Sequence, residues 1–198
     1  MRFVALWLCL TCILMFTLQG FIGTDSVILD SNLKFSEPWR LITSLFAHSG
    51  MAHLLSNLFA LGLFGLILEG RIGSKKLLWL FLISGLIINL LTPYPRSLGA
   101  SGAIFAILGT LIVLRPLMIV WISGMPLPMI LAGIIWFLQN MFGLFIPSNI
   151  GHIAHLGGLF IGLGTGFYWR KKFGDTIKRR KKDHLLEKKL DDWEKTWQ

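Results

Sequence analysis

A chain of 198 residues that is 54% hydrophobic and only 15% charged lies outside the range of soluble domains and inside that of multi-span membrane proteins. Its formal net charge of +9 is uneven: from Arg170 to Gln198 there are eleven Lys/Arg against six Asp/Glu, and the rest of the chain has eight against four. A basic excess at the end of an apolar chain concerns topology and lipid rather than nucleic acid, which is set aside as a partner.

The apolar run from the N-terminus to about Phe21 is long enough to span and lacks a small-residue cleavage site after it, so it reads as a helix rather than a signal peptide. Cys9 and Cys12 lie within it at C-x-x-C spacing. With no partner Cys or adjacent His, that spacing reads as packing, not redox or metal chemistry. Apolar windows bounded by turn residues or charges place six spans at roughly 3–22, 49–68, 77–91, 100–114, 128–146 and 152–169. Arg71, Lys75, Lys76 and Arg115 fall in alternate turns, whereas the intervening segments hold only Lys34, Arg40 and Arg96. The richer set, with Arg2 and the tail, should face the cytoplasm. Both termini are then inside, and spans two, four and six all run inward. The apolar segment 117–127, with Gly124, Pro126 and the following Pro128, is expected as a turn at the inner interface leading into span five.

Polar groups inside a bilayer are costly and tend to be functional. The rise from Ser101 to Arg115 is about 21 Å, and from His155 to Arg170 about 22 Å, so serine and histidine fall at one depth. His53 and Asn57, about 24 and 18 Å of rise from Glu69, fall in the same slab. The stretch Leu91-Thr92-Pro93-Tyr94-Pro95 before Ser101 cannot be regular helix. Irregular backbone at that depth is tolerated only where it is enclosed or lines a wet cavity, so a pocket opening outward is implied. Ser101 opens a helix whose first N–H groups and dipole favour negative charge on a nearby oxygen. His53 and Asn57, one turn apart on one face, can add side-chain donors to that oxyanion. A serine nucleophile and a histidine base are the two parts a serine hydrolase requires. Gly158, Gly162 and Gly166 form a small-residue ridge that would let span six approach span four, where Gly102 and Gly109 serve the opposing side.

These residues resemble the rhomboid intramembrane serine proteases in their minimal six-span form. The matching signatures are Trp39-Arg40, His48, His53-x-x-x-Asn57, Glu69-x-Arg71-x-x-Gly73, Gly99-x-Ser101-Gly102 and Ala154-His155-x-x-Gly158-x-x-x-Gly162. The resemblance implies an all-α polytopic bundle of six transmembrane helices. It also implies that the loop 23–48 is a partly membrane-embedded hairpin anchored by Trp39 and Arg40. By resemblance, Ser101 is the nucleophile, His155 the general base, and His53 and Asn57 line the oxyanion hole. Substrates would be single-span proteins cut in or near their transmembrane segment, with neither metal nor cofactor. Phe105 stands where the family often has Tyr. It can pack on the His155 ring but cannot hydrogen-bond, so orientation of that ring is expected to rest on packing alone. His152, nearer the outer end of span six, is expected as a loop contact or a water-facing residue, and His48 as a structural donor to loop backbone.

An aspartyl mechanism is excluded because no Asp lies between Asp30 and Asp175, and a zinc mechanism because no Glu follows His53 or His155. Asp25, Asp30, Glu37 and Glu69 are not placed to reach His155, so a Ser–His dyad without a carboxylate is expected. The alternative from another class is a catalytically inactive relative that binds transmembrane helices without cutting them. Residues 1–170 are read as the transmembrane protease domain and 171–198 as a basic amphipathic cytoplasmic tail. In that tail Leu186, Leu190, Trp193 and Trp197 make one stripe that could lie on anionic lipid, with a solvated helix as the other reading. His184 is taken as solvated. The expected location is the cell membrane of a prokaryote.

Overall fold

Each of the six apolar windows holds one helix in the computed structural model, which describes residues 3–122, 124–146 and 150–172. In chain order the helices are α1 (Val4–Ile22), the one-turn α2 (Arg40–Thr43), α3 (Met51–Ile72), α4 (Ser74–Leu91), α5 (Ser101–Leu114), α6 (Met129–Gly143) and α7 over residues 152–172. Helices α1, α3 and α4 are long and apolar enough to cross a bilayer, while α5 and α6 are apolar but shorter. The tail residues assigned to an amphipathic stripe lie outside the described residues.

Helix α5 is the axis of the bundle. Ten of its fourteen residues are buried, among them Ala103, Ala106, Ile107, Thr110 and Leu111. A helix that is apolar all round belongs inside other helices, and α5 packs on α3, α4 and α6. Its contact with α7 is a meeting of backbones. A Cβ added at Gly158 would lie 2.0 Å from the carbonyl oxygen of Gly102, and one at Gly162 would lie 2.1 Å from that of Ala106. Gly109 on α5 faces the Leu159 carbonyl in the same way, so the expected glycine ridge is the actual seam. Thr110 Oγ1 donates across it to the Gly162 carbonyl at 3.1 Å. The outer surfaces of the helices carry exposed side chains such as Phe59, Trp79 and Phe142. Apolar surface on this scale is stable only against lipid.

Glu69, near the inner end of α3, has its carboxylate on another helix. Oε1 accepts from the N–H of Val4 at 2.8 Å and Oε2 from that of Ala5 at 3.0 Å, and Ser74 Oγ adds a third bond. The first N–H groups of a helix have no intrahelical partner, and the dipole there favours an anion, so Glu69 caps α1. Gly73, at φ 83°, is the single residue between α3 and α4. Only glycine adopts that conformation without strain, and it lets α3 run four residues further than its expected end. Arg71 is exposed there.

Two connections carry strand pairing. The segment 23–48 folds back on itself through side chains rather than paired strands, with Thr43 Oγ1 donating to the Val27 carbonyl at 2.8 Å. It holds a 3₁₀ turn (Thr24–Ser26), a two-residue strand β1 (Leu29–Asp30) and α2, and β1 pairs antiparallel with β2 (Arg96–Ser97) in the connection before α5. Arg40 pins the segment as expected. It is buried, donates from Nη1 to the Ile28 carbonyl at 3.0 Å and to that of Asp25, and pairs with Glu37. Trp39 is 54% exposed on the outer side of this segment. The segment after α5 is not a simple turn but an antiparallel hairpin, β3 (Ile119–Ile122) with β4 (Met125–Pro128). Two β-branched isoleucines, Val120 and Trp121 favour strand, and Gly124 turns the chain at φ 83°. Pro126 and Pro128 are tolerated because a two-stranded ribbon has only edges.

Candidate active site

Ser101 is the first residue of α5 and His155 lies near the start of α7, so the α5–α7 seam brings the two together. Ser101 Oγ and His155 Nε2 are 2.8 Å apart. The approach to Ser101 is set by the turn before it: Gly99 has φ 111° and donates its N–H to the Ser44 carbonyl at 2.8 Å. A Cβ on Gly99 would meet the His53 ring at 2.8 Å, so only glycine fits there on both grounds. Ser44 is in turn held by Asn89 on α4, whose Nδ2 donates to Ser44 Oγ at 2.9 Å and to the Leu41 carbonyl at 2.8 Å. This brace from loop through α4 to the serine turn has no counterpart among the motifs. An Asn in an apolar helix was its single visible signal.

His53, Asn57, Ser101 and His155 all line one cavity of about 1340 Å³ that runs on between α3 and α6. Helices α3 and α6 approach there through Phe64 and Trp136, whose rings stand edge to face with centroids 6.0 Å apart. His53 Nδ1 lies 3.1 Å from Ser49 Oγ. Asn57 is buried and gives one amide hydrogen to the His53 carbonyl at 3.0 Å. An amide nitrogen has two hydrogens, so one is left for another acceptor.

His48 is fully enclosed. Its Nδ1 donates to the Phe46 carbonyl at 3.0 Å, as expected of a structural donor, and its backbone exchanges two hydrogen bonds with the Gln19 side chain on α1. The His48 and His53 rings meet edge to face at 5.0 Å.

The His155 ring is held on two sides. Phe105 stacks on it, with centroids 4.4 Å apart and planes within 10° of parallel, as the sequence predicts. Packing does not act alone, however: Asn140 Oδ1 on α6 lies 2.9 Å from His155 Nδ1. The same oxygen lies 3.0 Å from His152 Nδ1. His152 thus makes a contact inside the bundle, and its ring packs against Gly143 of α6. None of the four acids outside the tail bonds to His155. Asp25 pairs with Arg96, Glu37 with Arg40, Asp30 caps the Asn32 N–H, and Glu69 caps α1. Among the described residues no three His, Cys, Asp or Glu side chains cluster as metal ligands would.

The Rhomboid domain family matches residues 36–172, which takes in Ser101, His155, His53, Asn57 and Asn140. The chain belongs to the rhomboid family. That family includes intramembrane proteases, and this member is an integral membrane protein whose helices form a rhomboid-like bundle. Rhomboid protease GlpG from Salmonella typhimurium is 29% identical over 191 residues, covering 87% of this chain and 63% of the relative. Rhomboid protease GlpG from Klebsiella pneumoniae is 30% identical with the same coverage. The chain thus spans less than two thirds of the length of the curated relatives it matches.

Proposed function

We propose that this rhomboid protein is an active intramembrane serine endopeptidase that cuts single-span membrane proteins in or near their transmembrane segment. The contact of 2.8 Å between Ser101 Oγ and His155 Nε2 is the observation that carries this reading. His155 Nε2 takes the hydroxyl proton as Oγ attacks the scissile carbonyl carbon, forming a tetrahedral intermediate. The negative oxygen is met by N–H groups at the start of α5, by His53 and by the free amide hydrogen of Asn57. His155 then gives the proton to the leaving amine as the C–N bond breaks, and water releases the acyl group from Ser101 by the same steps in reverse order. The cavity between α3 and α6 has apolar walls including Phe59, Leu63 and Phe64, which suit a transmembrane segment better than a soluble peptide.

The topology that accompanies this reading has six spans, both termini in the cytoplasm of a prokaryotic cell, and the serine reached from outside. Residues 1–170 form the protease domain and 171–198 a basic cytoplasmic tail. The inactive, helix-binding alternative has no observation in its favour, because nucleophile and base are both present and in contact. Labelling of the purified protein with a serine-directed phosphonate decides between them. The expected result is labelling that disappears in Ser101→Ala, and cleavage of a transmembrane reporter that disappears in both Ser101→Ala and His155→Ala. A folded protein without Ser101-dependent labelling would be a binder, not a protease.

A further inference from the structure

Asn140 is 6% exposed, on a helix that carries no residue of the family signatures, and its amide is engaged at both ends. Nδ2 donates to the carbonyl oxygen of Trp136 at 2.8 Å, one turn back on α6. Oδ1 faces the Nδ1 atoms of His155 and His152 at 2.9 and 3.0 Å. A backbone carbonyl can only accept, so the end of the amide turned toward Trp136 must be its NH₂ group and the end turned toward the imidazoles must be its oxygen. An amide oxygen also can only accept. Both Nδ1 atoms must therefore carry hydrogen. A neutral imidazole protonated on Nδ1 keeps its lone pair on Nε2, and that is the His155 atom in contact with Ser101.

We propose that Asn140 is a positioning residue that holds His155 in the Nδ1–H tautomer, so that Nε2 is free to take the serine proton. The inference rests on the Ser101–His155 reading and deepens it: the site is a dyad with a neutral amide in the place where a triad has a carboxylate. Turning the amide over would set its oxygen against the Trp136 carbonyl and offer N–H to Nδ1. His155 would then have to carry its hydrogen on Nε2 and could only donate toward Ser101, which stops the base. Once the imidazole has become a cation, Oδ1 still accepts from Nδ1–H. It does so as a dipole rather than a charge, so it orients the ring more than it stabilises the cation. His152 occupies the second lone pair of the same oxygen, which makes it a brace for Asn140 and not a rival base.

The test uses the full chain in detergent or lipid, with ¹⁵N-labelled imidazole and His155→Ala to assign the resonance. The expected result is an Nδ1–H tautomer of His155 in the wild type and in Asn140→Asp, which keeps an acceptor oxygen in place. Asn140→Leu should give a mixture or the Nε2–H form. In parallel, Asn140→Leu should lower kcat by about 10- to 100-fold with little change in KM, less than the ~10⁴ seen when a triad acid is replaced by an amide that enforces the wrong tautomer. Asn140→Asp should recover most of that loss. An unchanged Nδ1–H signal in Asn140→Leu, or equal losses of kcat in the Leu and Asp variants, overturns the inference. Phosphonate labelling of Ser101 distinguishes this failure from that of the underlying reading: labelling that persists while the tautomer ignores Asn140 sinks only the positioning role, and the tautomer measurement needs no activity at all.

Discussion

Phe105 and His155 lie face to face, ring centroids 4.4 Å apart and planes within 10° of parallel. The stack is the apolar half of the support for the proposed base. Aromatic pairs contribute about 0.5–1.5 kcal/mol beyond their buried area, which corresponds to roughly 2- to 10-fold in rate if it is lost only where the ring must be aligned. Phe105→Leu should lower kcat by that factor, and Phe105→Tyr should not. Steady-state cleavage of a transmembrane reporter measures both. A Leu variant with wild-type turnover would assign ring alignment to the Asn140 bond alone.

Asn57 is expected to act on the transition state. It lines the Ser101 cavity and has one amide hydrogen not committed to the His53 carbonyl. Loss of one oxyanion donor typically reduces turnover by about 10²–10³. Asn57→Ala should therefore depress kcat by that order with a much smaller change in KM. A defect confined to KM would remove Asn57 from the oxyanion hole.

The distance between nucleophile and base depends on glycines below them. At Gly158 and Gly162 a methyl group would collide with backbone oxygens of α5, which cannot rotate away as a side chain would. Overpacking of a core costs about 1–3 kcal/mol. Gly162→Ala should lower the melting temperature and, by pushing α7 from α5, reduce cleavage together with it. Gly164→Ala on the same helix, where an added Cβ meets nothing within 4 Å, is the control and should leave both unchanged.

The positive-inside count gives a direct test of orientation. Ser36 is exposed in the first loop, whereas native Cys9 is half-buried and Cys12 buried in α1, so background labelling should be low. A cysteine at Ser36 should react with an impermeant reagent from outside intact cells, and a reporter fused after Gln198 should be cytoplasmic. The reverse at both sites would turn the cavity to face the cytoplasm.

His48 should make stability depend on pH. Burial, reinforced by the neighbouring His53, lowers its imidazole from 6.5 to about 4. Between those values the unfolded chain binds a proton that the folded one refuses, so stability is complete above about pH 6.5 and is lost as pH falls toward 4. The melting temperature of the wild type in detergent should drop over this window more steeply than that of His48→Asn. Parallel curves would mean that His48 is not the group responsible.

Much of the molecule was legible in the sequence because a bilayer restricts what a chain can do. Six helices follow from six apolar windows, since lipid offers backbone groups no other partner. Ser101, His155, His53 and Asn57 stand out because polar side chains at that depth are rare and expensive. Gly158 and Gly162 announce the α5–α7 seam by their spacing, because only small residues let two backbones approach. Other features were decided by tertiary structure alone. Glu69 sits at the end of one helix but caps another, and a cap bridging α3 and α1 leaves no local pattern. The Ile119–Ile122 hairpin depends on a partner strand, and β1 pairs with β2 more than sixty residues away. Asn140 is the clearest case. In the sequence it is a polar residue beside Gln139 on an apolar helix with no motif around it. Its meaning arises only where α6 brings its oxygen to two histidines of α7, because a hydrogen bond is set by position and direction in space, and one-dimensional spacing constrains these only within a single helix.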